Sequence, residues 1–330
     1  MQLLSKLCFA AFTLLGGLSV RAITLDVVQV GNGGNAPDTT GFGAVAYDYQ
    51  IGKYEVTNDE YAAFLNAVAS TDTFSLYDHS MFADAAGGIL RSGPSGSYTY
   101  AVKIGFSLKP VNFVSYWDAT RFANWLNNGQ GGASTETGSY TLGGVAEPVN
   151  TSVARNAGAV WAVASEDEWY KAAFFDPTLN SGSGGYWKHA TQSNSLGDNT
   201  AYSAPNGANY NDGDFANGGL FGPGSTDAGA YVLASSYYGT FDQNGNVYEW
   251  NESLPLLDQR GRRGGAWNDS GVNALSTFSA SGDASGQSPV VGFRVVNLAL
   301  IPEPSAYGIA FGFIALGALA FRREKREISG

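Results

Sequence analysis

The sequence predicts a single loop-rich α+β domain. Three observations lead there. Three segments combine a helix-start signal with apolar residues at helical spacing. Four short strand-like runs lie before, between and after them. Gly- and Asn-rich stretches fill the rest, with no internal repeat and no linker to divide the chain.

The first helix is predicted from Thr57-Asn58-Asp59-Glu60, a capping box followed by Tyr61, Phe64, Leu65 and Val68. The second starts at Ser115, with Asp118 three residues on and Trp117, Phe122, Trp125 and Leu126 as its apolar face. The third is boxed by Ser165 and Glu168 and carries Trp169, Ala172 and Ala173. Strand-like runs cover 47–56, 159–164, 247–250 and 290–297. Segments 129–144, 178–230 and 269–289 exceed ordinary connections and read as functional or ion-stabilised loops. Trp117, Trp125, Trp169, Trp250 and Trp267 are expected in the core, with Trp267 bordering the stretch after the Arg-Gly-Gly motif.

The ends read differently from the body. Lys6, the apolar stretch from Leu7 to Val20 and the small residue Ala22 come in the order of a secretory signal, so residues 1–22 are expected to be removed by signal peptidase. A buried N-terminal helix is the alternative. Residues 23–44 form a lead-in to a domain expected over 45–300. Ile301-Pro302-Glu303-Pro304-Ser305 then breaks the chain. The uncharged apolar run 306–321 follows, and Arg322-Arg323-Glu324-Lys325-Arg326 closes it. As a helix this run spans about 24 Å, slightly short of a hydrocarbon core of about 30 Å, so flanking arginines would snorkel. The basic cluster would stay cytoplasmic and the body outside.

Composition narrows the function. The net charge is −11, and some of the few basic residues sit in the tail, so the body is more acidic still. Nucleic acid is excluded as a partner, because phosphates need basic contacts. Divalent cations are compatible. The one cysteine, Cys8, lies in the expected signal. The mature chain therefore has no thiol, disulfide or cysteine–metal bond.

The order of motifs carries a resemblance. Ile51-Gly52-Lys53-Tyr54-Glu55-Val56-Thr57-Asn58 comes first, then Lys109-Pro110-Val111-Asn112 leading into Ser115-Tyr116-Trp117-Asp118-Ala119. Ala164-Ser165-Glu166-Asp167-Glu168-Trp169 and Gly245-Asn246-Val247-Tyr248-Glu249-Trp250 follow. Arg263-Gly264-Gly265-Ala266-Trp267 and Gly292-Phe293-Arg294-Val295 close the set. Together they resemble the formylglycine-generating enzyme family, the sulfatase-modifying factor domain, over roughly 45–297. The resemblance implies a variant of the C-type lectin fold with little regular secondary structure. The tail, 301–330, resembles a PEP-CTERM sorting signal. That implies an exosortase partner, transient anchoring in an inner membrane, and delivery to the cell surface or extracellular matrix of a Gram-negative bacterium.

Aerobic members of the family oxidise a substrate cysteine with a pair of cysteines that bind copper(I), shortly after the Arg-Gly-Gly motif. Here that stretch, Trp267 to Ser276, has only hard oxygen ligands, so thiol- and copper-dependent formylglycine generation is excluded. Other relatives are iron sulfoxide synthases and need a histidine cluster. This chain has only His79 and His189, both in expected loops.

The resemblance also implies calcium, as a structural ion. The ligands would be the Asp242 and Glu249 carboxylates and the Gly245 and Val247 carbonyls. A buried turn with Glu249 hydrogen-bonded to backbone is the other reading. An EF-hand fails, since Gly245 comes one position early and no helices flank the loop. A second site is implied at Asn209 and the Tyr210 carbonyl, with Asp212 and Asp214 as further candidates, against a plain solvated loop. Arg263 and Arg294 frame the family's groove. With Trp267, Asn268 and Asp269 they are the candidates to line a ligand groove here, although buried ion pairing is the commoner role of such arginines. Tyr237 and Tyr238 are further groove candidates.

The expected function is a non-catalytic binding or structural module of the envelope or matrix, taking a glycan, exopolysaccharide or peptide. The alternatives are an enzyme with repurposed chemistry at Asp269, Ser270 or His189, and a matrix spacer for which only the sorting tail matters.

Overall fold

The computed structural model describes residues 22–199, 205–211 and 224–299. The expected signal and sorting segments lie outside them. No helix among the described residues is long and apolar enough to cross a membrane.

The helices are α1 (Asn58–Val68), α2 (Ser80–Ala83), α3 (Tyr116–Asn127) and α4 (Glu166–Phe174). Each of the three predicted ones begins with the full reciprocal box: Thr57 with Glu60, Ser115 with Asp118, Ser165 with Glu168. In each, one side-chain oxygen and one carboxylate satisfy backbone N–H groups that the first turn would leave unpaired. The strands are short: β1 (Val27–Val30), β2 (Tyr49–Gly52), β3 (Ile89–Ser92), β4 (Thr99–Val102), β5 (Trp161–Val163) and β6 (Phe175–Asp176). Then come β7 (Gly185–Tyr186), β8 (Tyr248–Trp250), β9 (Gln259–Arg263), β10 (Ala280–Asp283), β11 (Val291–Gly292) and β12 (Val295–Asn297). The class is the predicted one: α+β, with small sheets and much irregular backbone.

Two four-stranded sheets organise the body, ordered β1-β2-β12-β5 and β10-β9-β8-β11. The expected run 290–297 is two strands. β11 pairs in parallel with β8, and β12 pairs antiparallel with both β2 and β5. Between them Phe293 and Arg294 turn into the interior, at 0% exposure. The chain thus changes sheets where it inserts Arg294. Three expectations are corrected. The lead-in 23–44 is part of the fold, because β1 pairs with β2 from Val27↔Gly52 to Val30↔Tyr49. The run 47–56 is a strand only over 49–52. The 269–289 loop contains β10, paired with β9.

The core is aromatic. Phe122 lies 5.4 Å from Phe64, 5.6 Å from Trp125 and 5.3 Å from Phe293, which clamps α1 and α3 against the segment joining β11 and β12. Trp117, Trp125, Trp169 and Trp250 are buried as expected.

Asp118 shows the cost of capping inside such a core. It is 2% exposed, and burial pushes its carboxyl up to about 6, although the Ser115 N–H and hydroxyl and the Gln287 amide pull it back. The unfolded value is near 3.9. A raised acid binds its proton more readily when folded, so its contribution to stability grows as pH falls from above 6 towards 4. Wild-type protein should therefore melt higher at pH 5 than at pH 7.5. Asp118→Asn keeps a capping side chain and should flatten that rise, by about 1.4 kcal/mol between the two pH values. Thermal unfolding at the two pH values reads the difference.

Candidate functional site

The 242–249 loop is held in a conformation few residues adopt. Asp242, Gly245 and Asn246 all have positive φ. A Cβ on Gly245 would stand 2.1 Å from the Asn209 carbonyl oxygen, so glycine is required there. Asn246 is the loop's tie. Its N–H donates to the Asn209 carbonyl (2.8 Å), and its Oδ1 accepts from the Thr226 N–H (3.0 Å) and Asn209 Nδ2 (3.1 Å). Its Nδ2 donates to Glu55 Oε1 at 3.1 Å. The loop is thereby fastened both to the 205–211 segment and to the end of the 51–58 motif.

Three carboxylates meet behind this loop with one cation. Glu249 accepts from Arg294 Nη2 (2.6 Å), from Arg294 Nε and from Trp169 Nε1 (2.7 Å), with both acid and arginine at 0% exposure. Arg294 also donates to the Gly52 and Phe241 carbonyls, each at 2.9 Å. Asp242 Oδ2 accepts from the Gly229 N–H at 2.6 Å. Burial pushes Asp242 up to about 6, against the pull of that N–H and of Arg294. Burial, then the charges of Asp242 and Glu249, hold Glu55 well above the ordinary carboxylate range.

These residues fit a divalent cation on charge, because Arg294 balances only one of the three acids. Glu249, however, can offer a cation only the acceptor position that three N–H donors leave. Among the described residues no three Asp, Glu, His or Cys side chains form a ready-made ion cage. Of the second implied site, Asn209 uses its Nδ2 on Gly224 and Asn246, and the Tyr210 carbonyl accepts from Asn199 at 3.1 Å. Asn209 braces the first loop, while Tyr210 is tied to Asn199 and Gly197. Asp212 and Asp214 lie outside the described residues.

The expected groove is corrected. Arg263 is 2% exposed. It is paired with Glu166, donates to the Ser276 and Phe278 carbonyls, and stacks between Phe42 and Tyr170. Arg263 and Arg294 are therefore buried internal struts and do not line an open groove. Trp267 is half-buried, Asn268 is exposed, and Asp269 caps the turn by accepting from the Ala266 N–H at 3.2 Å. His189 is 5% exposed, hydrogen-bonded to the Ala274 backbone and held below its usual value by burial. No hydrogen bond among the described residues joins Asp269, Ser270 and His189. His79 is exposed beside Phe82. Tyr238 bonds Gly31 and Asn32, with Tyr237 packed on it.

An unpredicted cleft of about 560 Å³ opens beside the same stretch, lined by Ser276 and Thr277 on one side. Trp187, Tyr186 and Phe175 supply aromatic walls, and Asn35, Asn180 and Lys188 supply polar edges. Trp187 is oriented by its Nε1 bond to Asp176 (3.1 Å), and Tyr186 by Phe175 at 5.1 Å and by Asn35 Nδ2 (2.7 Å). The only hint in the sequence is the Tyr186-Trp187-Lys188 run inside a loop of unusual length.

Comparison with known proteins settles the family. The model of the sulfatase-modifying factor enzyme 1-like domain matches residues 31–299. The chain belongs to this family. Its match begins just after β1. No curated protein matches the chain. Among solved structures, the crystal structure of CarF is similar, at 20% identity and a TM-score of 0.54, covering 84% of this chain and 99% of that one. Treponema denticola variable protein 1 is similar at 15% identity and a TM-score of 0.49, covering 84% and 97%. PvdO from Pseudomonas aeruginosa is similar at 16% identity and a TM-score of 0.44, covering 82% and 91%. At these identities the likeness to CarF speaks for the fold alone.

Proposed function

We propose that this family member is an exported, surface-sorted, non-catalytic binding module whose ligand is a saccharide of the envelope or matrix. One observation carries the reading. The stretch that would hold copper-binding thiols has none, its motif arginine is spent on Glu166, and its Ser276 and Thr277 line an aromatic cleft instead. A sugar ring is apolar on its C–H faces and polar at its rim. Trp187 and Tyr186, edged by amide, hydroxyl and ammonium groups, suit that pattern.

The test is a glycan array followed by titration of the best hit. Trp187→Ala should weaken binding by about 2 kcal/mol, roughly 30-fold, with an unchanged melting temperature within a few degrees. Equal binding by the variant refutes the cleft. An array without hits leaves the matrix-spacer role. Export, exosortase processing and surface delivery rest on the order of segments at 1–22 and 301–330. They are checked by fractionation and by the mass of the mature chain.

Calcium enters the proposal as a stabilising ion at the 242–249 loop. Asp242 and the Gly245 and Val247 carbonyls would hold it, and its chemistry there is to neutralise buried acid and fix the loop. A chelator should then lower the melting temperature.

A further inference from the structure

We propose that the free edge of β1 takes an extended, basic segment of a polypeptide partner, with a lysine or arginine side chain of that segment in the acidic cleft beside Asp26. The site is separate from the Trp187 cleft and from the 263–276 stretch, since no residue of either lines it.

β1 stands at the end of its sheet, with β2 on one side and no strand on the other. The Lys53 N–H donates to the Asp26 carbonyl at 2.8 Å, so Asp26, Val28 and Val30 face β2 across the ladder. The alternation turns the N–H and C=O groups of Val27 and Gln29 outward. Such an edge is a template for one more strand. A cleft of about 520 Å³ opens beside it, lined by Val27 and Val28 and by Ser235, Gly239 and Phe241.

Charge selects the occupant. A second cleft, of about 400 Å³, shares Asp26 with the first. Leu25, Tyr54 and Leu108 give it apolar walls. Asp26, Asp59 and Glu60 stand at its rim and the buried Glu55 at its floor. None of these four acids forms a salt bridge among the described residues. Burial raises Glu60 above its ordinary value, against the pull of the Thr57 N–H and hydroxyl, and the charges of Asp26 and Asp59 add to the rise. The acids do not form a metal cage. A long basic side chain matches them instead, with its methylene stem on the apolar walls and its charge at the rim. Lys53, in the first cleft, lies over the Tyr54 and Phe241 rings. A second copy of this chain, with the same net charge of −11, would be repelled from the edge.

The experiment is fluorescence anisotropy of the purified full chain, in detergent at low salt, with a labelled peptide of alternating valine and lysine. Wild type is expected to bind it, and to bind a valine–glutamate counterpart about tenfold more weakly or less. Gln29→Pro removes one outward N–H, keeps the ladder to β2 and leaves every charge in place. It should weaken binding by about tenfold. Asp26→Asn combined with Asp59→Asn should weaken binding by about the same factor, with little change in melting temperature. Methylating the peptide's own backbone N–H groups along one edge should act on wild type as the proline does, and it serves if Gln29→Pro does not fold. Absence of binding to wild type overturns the proposal. Binding that neither the proline nor the methylated peptide weakens overturns the edge and leaves charge attraction alone. Unchanged binding by the double variant overturns the cleft. Sedimentation that finds wild-type dimers which Gln29→Pro dissociates gives the edge to a second copy and overturns the partner.

Discussion

Arg294→Ala is expected to lower stability by about 3–5 kcal/mol, read by denaturant unfolding. The substitution strands Glu249 as an uncompensated charge at 0% exposure and strips donors from the Gly52 and Phe241 carbonyls. Most of the loss comes from what is left behind, since a buried pair breaks even at best against its own desolvation. Arg294→Met combined with Glu249→Gln should therefore recover part of the deficit of Arg294→Ala. A loss below about 1 kcal/mol for Arg294→Ala would mean that Glu249 is neutralised by other means.

Trp169→Ala is expected to cost about the same, 3–5 kcal/mol, for two separable reasons. The indole is fully buried beside Phe174, at 5.9 Å, and its removal leaves a cavity. It also donates Nε1 to Glu249. Trp169→Phe keeps most of the volume and loses the donor, so it should cost about 1.5–3 kcal/mol. In an Arg294→Ala background the effect of Trp169→Phe should change, because both residues serve one carboxylate. Strict additivity in that double-variant cycle would show that the indole contributes packing alone.

Local signals were legible where the chain satisfies its own needs within one turn. All three capping boxes stand at the predicted residues, since Ser or Thr with an acid three positions on is a complete unit. Strands were harder. The β3–β4 hairpin and β9 were not anticipated; the runs 247–250 and 290–297 did mark β8, β11 and β12, but with two or three residues each these strands are too short for a period of two to show that 290–297 is two strands. Motif membership found Arg263 and Arg294 and favoured buried ion pairing for both, but it could not name their partners. Those are Glu166 and Glu249, which lie 97 and 45 residues away. Glu55 was visible only as a letter in a motif, and its meaning appears once Asn246 and Asp242 are seen around it. The cleft at Trp187 needed three distant segments, 35–39, 175–188 and 276–277, to be brought together.

The order β1-β2-β12-β5 has a mechanical consequence. β1 and β12 both run antiparallel to β2 and flank it on its two sides. The chain enters β1 at the Gly52 end of β2 and leaves β12 at the Gln50 end. Tension applied between the two ends of the domain would load these ladders in shear, so their hydrogen bonds would have to give together instead of peeling one at a time.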